Sequence, residues 1–125
     1  MKAIQIIRIE HTDGIGMFTD FTDDYKERMQ CVWNILPELS NRHKNFNTPE
    51  EDNLNLDKNF KDWYCAYKSI EQLQEWVLKD EFKTLFDYGY KVLLIECTNY
   101  QIGKDQVIYT KESIKTSKDI SSLFL

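Results

Sequence analysis

The chain has 125 residues with 42% hydrophobic and 14% aromatic side chains, enough for one domain with a real core and no covalent staples. Only four Gly and two Pro exclude a low-complexity chain, and a formal net charge of -5 disfavours the broad basic contact that direct nucleic-acid binding needs. The three cysteines, Cys31, Cys65 and Cys97, are odd in number, far apart and set in apolar runs, so they are expected as free buried thiols in a reducing compartment. With no Cys-x-x-Cys pair and both histidines far from the thiols, no metal site is expected.

Residues 2–10 read as a first strand. Ile4, Ile6 and Arg8 point one way and Ala3, Gln5, Ile7 and Ile9 the other, which predicts a central strand covered on both faces. No apolar targeting core follows Lys2, and no run approaches the length of a membrane span, so a cytoplasmic protein without a membrane partner is expected. Asp13-Gly14 signals a turn after that strand, in a polar loop of the kind that carries small-molecule sites. Gly14-x-Gly16 is too short for a dinucleotide fingerprint.

The spacing of Tyr25, Met29, Val32 and Leu36 predicts a helix over 22–36, ended by Pro37. Asp23, Asp24 and Glu27 suit its positive end. Residues 38–61 read as a polar, irregular middle with an exposed basic cluster from Asn41 to Asn45. Thr48-Pro49-Glu50-Glu51 within it marks a short capped helix.

The central block runs from Asp62 to Cys97 and is expected to be strand, helix, helix, strand. Trp63 to Tyr67 form the first strand. Ser69 and Gln72 have the spacing of a capping box, and Ile70, Leu73, Trp76 and Val77 make one apolar stripe. Asp80 is the expected cap of the second helix and Gly89 its left-handed end. Val92 to Ile95 then read as a fully buried strand. Asp105 to Tyr109 are expected to pair with it as an antiparallel hairpin. Residues 111–125 fit a last strand or a short helix. The expected fold class is α+β, a mainly antiparallel sheet with three or four short helices packed on it.

The block Tyr64-Cys65-Ala66-Tyr67-x-Ser69-x-Glu71-Gln72-Leu73-x-x-Trp76 resembles a group of small phage and prophage proteins. The acid-rich Thr48 to Asp52 loop and the Asp13 to Phe18 turn are similar too. That resemblance implies a phage or mobile-element origin. The order of elements, with Asp105-Gln106-Val107-Ile108-Tyr109 as a late strand, also resembles a compact ADP-ribosyltransferase fold. This second resemblance implies Asp105 in the place of the catalytic carboxylate, where Glu is usual, and Arg8 or His11 offered to the dinucleotide. The His-Tyr-Glu and Arg-Ser-Glu sets of those transferases are absent from the sequence.

Candidate chemistry therefore centres on His11 and Asp105 as catalytic groups. Arg8, Asp13, Tyr64 and Gln106 are the candidates for holding a nucleotide. His11 with Asp13 could polarise a substrate hydroxyl or carbonyl, while Tyr64 could stack on a base. Two functions follow. One is a small acidic binding protein that captures or inhibits a host or defence-system component, protein or nucleotide, and needs no cofactor. The other is a reduced ADP-ribosyltransferase-like enzyme, or a binder of NAD or ADP-ribose.

Overall fold

Unbroken burial from Ile6 to Ile9 makes β1 (Ile4–His11) the strand around which the molecule is organised. The computed structural model describes residues 2–12, 14, 34–43, 63–104 and 106–125. Asp13, Asp105, Cys31, Trp33, the Thr48 to Glu51 signal and the helix expected over 22–36, except its last residues, lie outside them. Asn34 and Ile35 are helical, and the chain breaks at Leu36. Pro37 then opens α1 (Pro37–His43), where its missing N–H costs nothing. This corrects the expected irregular stretch there. Arg42 is correspondingly no free surface cation. Its guanidinium donates to both Glu81 carboxylate oxygens, at 2.8 and 3.2 Å, and to the Trp76 carbonyl at 2.8 Å.

Among the described residues the architecture is α+β, with two antiparallel three-stranded sheets. The first has the order β1, β3 (Tyr90–Cys97), β6 (Ile114–Asp119). The second has the order β2 (Trp63–Ala66), β5 (Val107–Thr110), β4 (Tyr100–Ile102). A pair of backbone bonds between Ile7 and Tyr67, at 2.7 and 2.9 Å, ties the sheets together at β1 and β2. The expected hairpin between β3 and β5 does not form. Thr98 and Asn99 turn the chain out of the first sheet into β4, which pairs with β5. Three residues, Tyr-Gln-Ile, are too few for alternation to reveal as a strand.

Two cores result. Ile6, Leu93, Ile95 and Cys97 of the first sheet pack between the sheets against Ala66, Val107 and Tyr109. On the other face, Ile7, Ile9, Tyr90 and Val92 pack against Leu73 and Val77, Phe82 and Leu85, and Ile120 and Phe124. The second group sits on α2 (Ile70–Trp76), α3 (Lys79–Asp87) and a C-terminal 3-10 turn (Ser121–Phe124). Both faces of β1 are thus covered, as its apolar runs on alternate positions require.

Local rules fix the helices. Ser69 Oγ accepts the Gln72 N–H, while Gln72 reaches back to the Lys68 N–H at 2.7 Å. The cap of α3 is Leu78 and not Asp80. It has no capping oxygen of its own, so Glu81 accepts the Leu78 N–H at 2.8 Å. Gly89 takes a φ of +91° and returns the chain into β3. Among the described residues, no helix is long and apolar enough to cross a membrane.

Candidate functional site

Alternation along β1 sends Arg8 into the space between the sheets, on the same face as Ile6. Its side chain is 1% exposed. An ionised group so far from water is costly unless it is paired and hydrogen-bonded. Three nitrogens of the guanidinium find acceptors within the chain. Nε donates to Glu10 Oε1 at 2.7 Å, Nη1 to the Cys65 carbonyl at 2.7 Å and Nη2 to the Gly14 carbonyl at 3.3 Å.

The neighbouring sheet completes the enclosure. Tyr64 and Tyr109 are register partners across β2 and β5, with ring centroids 6.1 Å apart. The guanidinium carbon lies 5.3 Å from the Tyr64 centroid and 6.0 Å from that of Tyr109, so both ring faces attract the cation. Lys111 closes the outer side. Its ammonium donates to the same Gly14 carbonyl at 2.9 Å, stands 3.9 Å from Glu10 and lies 4.5 Å from the Tyr64 centroid. Two cations, one carboxylate, two aromatic rings and two main-chain carbonyls therefore share one small volume.

This arrangement binds strand to strand. Arg8 joins β1 to β2 and, with Lys111, holds the turn after β1 against the residues after β5. A guanidinium is no acid or base at ordinary pH, so Arg8 itself transfers no proton. Lys111, with 36% of its side chain exposed, and the half-buried Tyr64 form its outer edge.

His11 lies elsewhere. Three residues separate it from Arg8, and an odd separation along a strand reverses the face. It stands beside its register partner Tyr90, edge to face at 5.3 Å and 80°, in the half-buried end of the helix-side layer. Its Nδ1 is 3.4 Å from Thr12 Oγ1. The structure thus brings Arg8 and Tyr64 together and sets His11 on the opposite face. Gln106 is fully buried, and its carbonyl accepts the Gly103 N–H at 2.8 Å in the β4–β5 hairpin. Asp13 and Asp105 lie outside the described residues.

Three members of the cluster escaped the sequence reading: Glu10, Tyr109 and Lys111. Glu10 follows Arg8 by two on one strand, and Lys111 follows Tyr109 by two. The alternation that placed Arg8 could have flagged Glu10, but Lys111 lies past β5 in a 3-10 turn, and only the tertiary structure brings it and Tyr109 to Arg8.

Cys97 is buried, which pushes the pKa of its thiol up, and Cys65 is half-buried. No group of three or more metal-ligating side chains occurs among the described residues. A family model described as Bacteriophage T4 Y00F protein matches residues 1–122. No curated protein and no solved structure matches the chain.

Proposed function

Given that this chain belongs to the bacteriophage T4 Y00F protein family, we propose that it is a binding protein of the phage, one that captures or inhibits a host or defence-system protein. The observation that carries the reading is the enclosure of Arg8. The cation that would have to meet a dinucleotide is spent on Glu10 and two carbonyls of its own chain. His11, the nearest candidate base, faces the other layer. A protein that works by capture needs a rigid scaffold and a complementary surface, and no reacting group at all.

Affinity capture from phage-infected host cells tests this. The tagged chain should retain one host protein at a near-equimolar ratio, and His11→Ala and Asp105→Asn should retain it equally. Loss of an NAD-dependent modification of lysate proteins in those two variants, with no partner retained by the parent chain, would contradict the proposal.

A further inference from the structure

Among the described residues, β6 is an outer strand of the first sheet, paired to β3 along one side. It buries none of its own side chains. Ile114 is half-buried, and Lys115 to Asp119 are exposed on both faces. The ladder to β3 and the buried Ile120 that follows hold it in place. Ile120 N–H donates to the Val92 carbonyl at 2.9 Å, so the main chain there is turned to β3. Alternation then turns the N–H and C=O groups of Ser117 and Asp119 away from β3, to the outer edge.

An edge of this kind accepts a further strand, and lysines along it ordinarily keep one away. Here the lysines have opposite charges at matching distances. Lys115, Ser117 and Asp119 share one face of the strand, with Thr116 and Lys118 on the other. Lys115 and Asp119 therefore flank Ser117 symmetrically. Hydrogen bonds from Ser121, its N–H at 2.9 Å among them, hold the Asp119 carboxyl below the usual carboxylate range.

Antiparallel pairing sets residues of like main-chain orientation opposite each other, so a two-fold axis between two β6 strands must pass at a residue. An axis at Lys118 sets two ammonium groups directly opposite, which is destabilising. An axis at Thr116 sets Asp119 against Ser113 and gives it no cation. An axis at Ser117 sets Lys115 of each copy against Asp119 of the other. It also sets Lys118 of each copy beside Thr116 of the other, whose β3 partner is Glu96. Lys118 and that Glu96 are then two strand spacings apart, about 9.6 Å, within the joint reach of two long side chains. Both faces of the joined sheet thus bring opposite charges together.

We infer that β6 is the contact between two copies of the chain, joined antiparallel about Ser117 into one continuous sheet. Sedimentation velocity on the full chain, carried into the high micromolar range, tests it. The parent chain should form a dimer. Ser117→Pro removes an N–H that β3 does not use, so it should leave the Tm unchanged and raise the dimer Kd by more than about tenfold. Lys115→Asp and Asp119→Lys each set like charges opposite one another twice, and each alone should raise the Kd by about tenfold. Mixed in equal amounts, the two variants restore opposite charges at both places and should recover most of the loss. A chain that stays monomeric at every concentration overturns the inference and leaves the edge lysines as a guard against pairing. So does a dimer that survives Ser117→Pro, or a mixture no more dimeric than its components. Ser117→Pro and Lys115→Asp leave the contacts of Ser121 intact, so they decide the question even where Asp119→Lys loosens the last turn.

Discussion

Arg8 donates to one carboxylate and two main-chain carbonyls from the space between the sheets. Its removal leaves Glu10 and two carbonyls beside a space between the sheets, and breaking one partner out of a buried ion pair costs roughly 3–5 kcal/mol. Arg8→Ala should lower the urea midpoint accordingly, and Arg8→Lys should fall between, because an ammonium cannot reach three acceptors in different directions. Tyr67 makes a pH prediction. Burial raises its phenol above the usual value of 10.0, with the Cys65 charge adding to the shift. A raised folded-state pKa means that its stabilising contribution is complete below pH 10 and is lost as pH rises beyond it. Chemical denaturation should therefore show stability falling above pH 10, by at most about 1.4 kcal/mol per pH unit from this one group. Tyr67→Phe should flatten that limb. Cys97, whose thiol burial also raises, should leave a shallower slope of the same sign. At this scale the sequence was informative about facing and silent about partners. Alternation told which way Arg8 points, while Cys65, 57 residues along the chain, is reached only through tertiary structure.

The element boundaries depend on a few groups that do two jobs. Glu81 supplies the N-terminal cap of α3 and receives the bidentate Arg42 from α1. Glu81→Ala should cost about 2–4 kcal/mol, more than Arg42→Ala, because it also frees the Leu78 N–H. Gly89 is the second such group. A Cβ there would stand 2.8 Å from His11 Nε2, on a backbone already at φ +91°. Gly89→Ala should destabilise by about 1–3 kcal/mol. In the His11→Ala background only the backbone part should remain, so the double variant should cost less than the sum of the singles in thermal unfolding. Ser69, Gln72 and Gly89 were legible because capping and left-handed termination are local chemistry. The cap of α3 was misread because Asp80 is a better capping residue than Leu78 by type, yet Glu81 supplies the acceptor from three positions on.

Across the whole molecule, the α+β class and the two-sided burial of β1 and β3 could be read from periodicity. The division into two sheets could not. Val107 to Tyr109 has the apolar character of a strand in either sheet, and only the Thr98-Asn99 turn and the Ile7–Tyr67 bridge decide which one it joins. That division creates the enclosed space in which Arg8, Tyr64, Tyr109 and Lys111 meet, so the cluster was invisible for the same reason. On the proposed function this cluster joins the sheets and takes up no nucleotide. Thermal unfolding with saturating NAD or ADP-ribose tests it most directly. A ligand present at one hundred times its Kd would add about 2.7 kcal/mol and raise Tm by several degrees. The expected result is a Tm unchanged by either compound; a rise of more than about 5 °C that disappears in Tyr64→Ala would contradict it.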